Sequence, residues 1–262
     1  MNIFEQDMNS IESVSGVFTV TITDNWSING NPNGGYLLAL MTDAMLNQSE
    51  NMTTPVMTAN YMARCVPGPA EIHVEEISRT KQFHRFEARL IQEGKENIRA
   101  LATFAGENNE CVISRYETTA APLAPRESCV LIPLIPRYTL YDQLDVLLDP
   151  ECAGWMQNKL TDKSENKGWI RFKSGAPYDL LSVLLIADSL PPAVMATYGM
   201  MAWVPTIELS VNIRNLPQSM WLNCSLRTRF ITCGLLEADG EVWDEAGNLV
   251  AISRQIAQAK KL

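Results

Sequence analysis

Asp188 is the only ionisable side chain in the apolar stretch from Leu180 to Leu190, and it falls just before Pro191-Pro192, which end a helix. A carboxylate at that place meets two opposing fields. Burial disfavours its charged form, and the partial negative charge at a helix C-terminus disfavours it again. Both push its pKa upward, toward the range in which a carboxylate can take a proton near neutral pH. The segment alone also allows Asp188 to point out of the core or to hydrogen-bond the chain as it turns through the prolines. A second stretch with chemical potential is Asn33-Gly34-Gly35, where turn residues lead into an apolar run at helical spacing. Two glycines at a helix start leave backbone N–H groups uncovered, able to face a ligand oxygen at the positive helix end. A tight turn with close helix packing fits the same residues.

The elements that must position these groups follow from periodicity. The run from Tyr178 to Leu190 has no clear polar stripe, which predicts a core helix surrounded by protein. Alternating strands follow it at Val204–Arg214, Met220–Phe230, Gly234–Trp243 and Leu249–Ala257, with a hairpin at 244–248. The first half shows the same order. A short β-like opening from Gly16 precedes a helix starting at Asn33-Gly34-Gly35, then strands at Val56–Met62, Glu71–Ile77, Phe83–Gln92 and Asn97–Ala105. The chain therefore reads as an internal repeat, with Asp43 aligned to Asp188 and Thr58 to Thr206. Between the halves the periodicity fails and proline recurs, at Pro122, Pro125, Pro133, Pro136 and Pro150. The predicted organisation is a first repeat at 1–106, a connection at 107–168 with one short helix near Tyr141 to Leu148, and a second repeat at 169–262.

Composition narrows the function classes. The chain has 262 residues, 46% of them hydrophobic, enough for a substantial core. No apolar run is long enough to span a bilayer, and the N-terminal residues lack the pattern of a signal peptide, so a soluble, cytoplasmic protein is expected. Six scattered cysteines show no C-x-x-C spacing, which fits reduced thiols and gives no zinc pattern. The Asn51-Met-Thr53 match to a glycosylation site is then without meaning. A net charge of −9 without a basic cluster argues against nucleic-acid binding.

A long apolar helix followed by an antiparallel meander, duplicated in one chain, resembles the double hotdog, an α+β fold in which two sheets join edge to edge and each wraps its own helix. Asn33-Gly34-Gly35-Tyr-Leu, Pro67-Gly68-Pro69, Trp203-Val-Pro-Thr-Ile-Glu-Leu and Val250-Ala-Ile-Ser-Arg-Gln255 together resemble the bacterial acyl-CoA thioesterase II-like (TesB-type) family. The resemblance covers roughly residues 15–106 and 169–258. It implies a catalytic Asp on the second helix, a Thr or Ser on the strand after it and a Gln on the last strand, which fall on Asp188, Thr206 and Gln255. Asp188 is then expected to act as general base on a water, with Thr206 and Gln255 orienting the water or the thioester carbonyl. Amides at a helix start, Gly34 and Gly35, are candidates for the oxyanion. In the first repeat Phe104 stands at the Gln position and cannot hold a water, so that half reads as degenerate. Single-domain hotdog thioesterases place an acid about two turns after a Gly-Gly helix start. Asp43 lies one residue late for that pattern, about 100° round the helix, and with Thr58 forms only a second-site candidate.

Acyl-CoA is the implied small-molecule partner, with no cofactor, no metal, no nucleic acid and no membrane. Internal pairing of the repeats allows a monomer, and a homo-oligomer, dimer or tetramer, stays open beside it. A serine hydrolase is disfavoured by the absence of Gly-x-Ser-x-Gly. The two histidines, His73 and His84, fall on predicted strands, and His73 reads as solvated rather than as a dehydratase base. An acyl-CoA or acyl-ligand binding protein that does not hydrolyse remains the alternative from another class.

Overall fold

The computed structural model describes residues 2–8, 10–48, 52–106, 113–200 and 204–259. Asn51, Cys111 and Trp203 lie outside the described residues. Helix α1 (Ile3–Asp7) leads into β1 (Ile11–Val14) and β2 (Val17–Ile22), then a small clip of β3 (Ser27–Ile28) and β4 (Asn31–Pro32). Helix α2 (Gly34–Leu46) follows, with β5 (Met52–Tyr61), β6 (Gly68–Arg79), β7 (Phe83–Gln92) and β8 (Lys95–Gly106). Asn33 starts α2 by accepting the Tyr36 N–H on its side chain, and the run Tyr36 to Met45 is buried except for Asp43. In the second half come β9 (Val130–Leu131), α3 (Leu140–Gln143), β10 (Leu144–Leu148), β11 (Glu165–Phe172), α4 (Leu180–Ile186), α5 (Met195–Tyr198), β12 (Thr206–Ile213), β13 (Leu222–Arg227), β14 (Ile231–Thr232), β15 (Leu235–Asp244) and β16 (Leu249–Gln258).

Fourteen of the sixteen described strands form one sheet in the order β1-β2-β6-β7-β8-β5-β12-β16-β15-β13-β11-β10-β9, with β14 on β15, while β3 and β4 pair with each other apart from it. The order β2-β6-β7-β8-β5 is mirrored by β11-β13-β15-β16-β12, so the duplication seen in the sequence is a duplication of topology. The two halves join through the antiparallel pair β5–β12, in register Thr58 to Ser210 and Asn60 to Glu208. Both helices lie on one face of this sheet. There α2 and α4 cross closely: a methyl at Gly35 would overlap the Leu184 carbonyl oxygen and stand 3.1 Å from Leu185 Cα. No side chain fits between the backbones, which gives Gly35 its reason.

The segment expected as a connection differs most from the prediction. Where the sequence predicts one helix near Tyr141 to Leu148, the α-helix is Leu140–Gln143 and residues 144–148 form β10 instead, with Leu144, Val146 and Leu148 turned inward; short 3-10 turns lie at Arg126–Ser128 and Ala153–Gln157. β11 begins at Glu165, inside the predicted connection, and is the topological counterpart of β2. Its inward positions are Asn166, Gly168, Ile170 and Phe172. An asparagine and a glycine on the buried side hide the alternation that marks a strand. Asn166 is there because its amide holds the carbonyls of Pro191 and Pro192 at 3.1 and 3.0 Å, fixing the chain that leaves α4. No helix among the described residues is long and apolar enough to cross a membrane.

Candidate active site

Asp188 sits one residue past the C-cap of α4, its N–H bonded to the Leu185 carbonyl at 3.1 Å. Its carboxylate turns inward, to the N-terminus of α2. Oδ2 accepts the Gly35 N–H at 3.0 Å and the Asn33 amide at 3.1 Å, while Oδ1 accepts the Gln255 amide at 3.0 Å. Burial pushes the Asp188 pKa from 3.8 up to about 6; the Gly35, Gln255, Gly34 and Asn33 donors pull it part of the way back. The helix-dipole argument of the sequence therefore meets its complement. The unfavourable C-terminal end of α4 abuts the favourable N-terminal end of α2.

Gln255 also donates to Thr206, at 2.5 Å from Nε2 to Oγ1. One amide group thus spends one hydrogen on the carboxylate and the other on the hydroxyl. Thr206 accepts that bond, which leaves its own O–H hydrogen available as a donor. Thr206 reaches the helix-facing side through an irregularity in register: Leu209, Val211 and Ile213 face inward on odd numbers, and the shift between Thr206 and Glu208 turns an even-numbered residue the same way. The sequence-predicted Asp188, Thr206 and Gln255 are therefore brought together.

Gly34 and Gly35 differ from expectation. Their amides do not face open space; they are directed at the Asp188 carboxylate. Asn33 was missed by the sequence reading, although an N-cap asparagine has an unused NH2 that could have signalled it. Its Oδ1 caps α2, and its Nδ2 binds both the Asp188 carboxylate and, at 2.8 Å, the Asp188 carbonyl. Tyr61 was missed too. Its hydroxyl donates to the Gly34 carbonyl at 2.8 Å, and that carbonyl shares a peptide unit with the Gly35 N–H. A continuous chain runs from the phenol through one peptide to the carboxylate. Burial, followed by the Asp188 charge, raises the Tyr61 pKa well above its ordinary value.

The first-repeat candidates do not assemble. The Asp43 carboxylate is held by the Ser10 N–H at 3.1 Å and the Ser10 hydroxyl at 2.5 Å, and its pKa is raised mainly by burial. Thr58 faces the opposite side of the sheet from Met57 and Ala59, bonded to Ser210 at 3.1 Å. One residue of strand register separates it from the helix side. Phe104 is fully buried and packs edge-on against Phe86 at 5.9 Å. His73 lies against Glu71 at 3.0 Å at the surface.

Residues 22–105 match the acyl-CoA thioesterase N-terminal domain and residues 117–259 the acyl-CoA thioesterase C-terminal domain. An uncharacterized protein of Mycobacterium tuberculosis is 23% identical over 92% of this chain and 90% of its own length. Among solved structures, a protein described as a thioesterase II from Thermobifida fusca superposes with a TM-score of 0.90 at 23% identity, covering 100% of this chain and 98% of that one. A hot dog fold protein from Alicyclobacillus acidocaldarius superposes at 0.89 with 18% identity, over 100% and 99%. The fold is thus the double hotdog, and by the two domains it matches in sequence the chain belongs to the acyl-CoA thioesterase family, whose members are thioester hydrolases.

Proposed function

We propose that this chain hydrolyses acyl-CoA to the free acid and CoA, with Asp188 as general base and Thr206 and Gln255 as its polar partners. Asp188 takes a proton from a water as the water oxygen attacks the thioester carbonyl carbon. The Thr206 O–H donates to the carbonyl oxygen as it becomes an oxyanion, and Gln255 holds Thr206 and Asp188 in fixed relation. Collapse of the tetrahedral intermediate breaks the C–S bond, and the proton held by Asp188 passes to the departing thiolate. Catalysis needs neither a covalent acyl-enzyme nor a nucleophilic serine in this scheme.

The observation that carries the proposal is the link Asp188–Gln255–Thr206, with a carboxylate whose pKa of about 6 keeps it ionised yet basic near neutrality. Release of free CoA thiol from short, medium, long and aromatic acyl-CoAs tests it, with wild type beside Asp188→Asn. Turnover by wild type that collapses in the variant is expected. Equal rates remove Asp188 from the mechanism, and binding without turnover in wild type identifies an acyl-CoA binding protein instead.

A further inference from the structure

Two arginines converge on the turn that leads into the site. The Arg64 guanidinium donates to the Gly30 carbonyl at 3.0 Å, and the Arg137 guanidinium donates to the Asn29 carbonyl at 3.4 Å. Gly30, at φ +69°, leaves its face open, and Arg137 lies across it: a methyl there would stand 2.8 Å from Arg137 Nη2. The backbone reinforces this placement, since the Gly30 N–H donates to the Arg137 carbonyl at 3.1 Å. Both side chains are exposed, and neither forms an ion pair among the described residues. Four other arginines are committed to carboxylates. Arg79, Arg99, Arg171 and Arg254 each hold a carboxylate at 2.7 or 2.8 Å.

Their position relative to the base is set by two chain segments that run together. Tyr61 binds the Gly34 carbonyl and Arg64, three residues on, binds the Gly30 carbonyl. From Gly30 to Asn33, whose amide touches Asp188, the backbone spans at most about 11 Å. The arginines thus stand outward of the site along its own wall. The carbonyl contacts leave most of their N–H donors unused, because each guanidinium carries five.

We infer that Arg64 and Arg137 form the subsite for the phosphate groups of the CoA moiety. This rests on the acyl-CoA hydrolysis proposed above. A thioester carbonyl placed at Asp188 sends its pantetheine arm toward solvent, and the phosphates are the groups that arrive at the rim. Guanidinium forks suit phosphate oxygens geometrically and in charge. In a chain of net charge −9 a polyanionic substrate is repelled at long range, so local unpaired cations at the mouth are what draws it in.

The test compares acyl-CoA with the matching acyl-pantetheine, which carries the same thioester and no phosphate. The variants are Arg64→Gln, Arg137→Gln and the double substitution; glutamine keeps an N–H donor for the turn. The expected result is a KM for acyl-CoA raised about tenfold per arginine with kcat unchanged, and both constants unchanged for acyl-pantetheine. The KM of wild type for acyl-CoA rises with salt, and that rise flattens in the double variant. Equal effects on both substrates, or no effect on either, overturn the assignment. Calorimetric binding of CoA itself separates this from the hydrolysis reading. If wild type turns over neither substrate, the hydrolysis proposal fails, and CoA binding weakened in the double variant still supports the subsite while unchanged binding refutes it.

Discussion

Replacing Asp188 by asparagine changes how stability depends on pH, and the size of the change follows from the structure. In the unfolded chain this carboxyl titrates near 3.8; in the fold burial moves it to about 6. The folded protein therefore binds this proton more tightly than the unfolded chain between those two values. Unfolding stability then falls as pH rises through that window, and the full cost is present above the folded pKa. A difference of about two units corresponds to about 3 kcal/mol. The asparagine carries no titrating proton, so the variant escapes this cost. It suffers another one that does not vary with pH. Donors from Gly34, Gly35, Asn33 and Gln255 converge on the carboxylate, and an amide replaces one acceptor by a donor, a mismatch of about 1–3 kcal/mol. Urea unfolding of both proteins between pH 4 and pH 7.5 gives the comparison. The difference in unfolding free energy is expected to move by about 3 kcal/mol in favour of the variant as pH rises. A difference that stays constant across the range would show that Asp188 is not a buried, charge-strained carboxylate. Wild-type kcat/KM should in parallel fall about tenfold from pH 7 to pH 5, as the base is protonated.

Three further substitutions bear on the same constellation. Gly35→Ala forces a methyl into the Leu184 carbonyl oxygen, so α2 and α4 must separate; thermal unfolding should show a loss of about 1–3 kcal/mol. Tyr61→Phe removes the phenol that polarises the Gly34–Gly35 peptide, and the weakened Gly35 N–H bond should shift the acid limb of the pH–rate profile upward while leaving a folded, active enzyme. Thr206→Val should lower kcat about a hundredfold through loss of a transition-state donor. Its repeat-aligned counterpart Thr58→Val, on the far side of the sheet, should leave kcat unchanged.

What was legible in the sequence is what depends on composition and period. The apolar run with a lone acid gave α4 and Asp188, and the turn residues before an apolar run gave the start of α2 at Asn33. The duplication was legible from the order of elements. Register was not. A shift of one residue turns a strand side chain to the other face, and the irregularity at Thr206 to Glu208 has no signature in the residues themselves. The aligned pair Thr58 and Thr206 therefore look alike on paper and face opposite ways in the fold. The amides of Gly34 and Gly35 are legible as uncovered donors at a helix start, but the acceptor that Gly35 meets in the fold comes from a residue 153 positions away in sequence. β11 is hidden because asparagine and glycine occupy buried positions, the asparagine to brace the Pro191-Pro192 exit; β10 is a five-residue apolar run, Leu144-Asp-Val-Leu-Leu148, too short for its period to separate a strand from a helix.

The same long-range pairing explains why duplication leaves one assembled constellation. Asp188 belongs to the second repeat, while Asn33, Gly34 and Gly35 belong to the first, so the site exists only where the two halves face each other. By the symmetry of the topology a mirrored site would set the end of α2 against the start of α4. There the acid is Asp43, and the opposing helix begins with Asp179, whose carboxylate caps its own helix by accepting the Ser182 N–H at 2.7 Å. Where Asp188 meets two glycine amides and two side-chain NH2 groups, Asp43 feels a second carboxylate, which adds to the upward push of burial on its pKa. Ser10 takes up its oxygen, and Thr58 and Phe104 supply nothing in place of Thr206 and Gln255. Restoring a second constellation would require a glycine start to α4, a strand register shift in β5 and a glutamine in place of Phe104 together, and none of these changes is useful without the others.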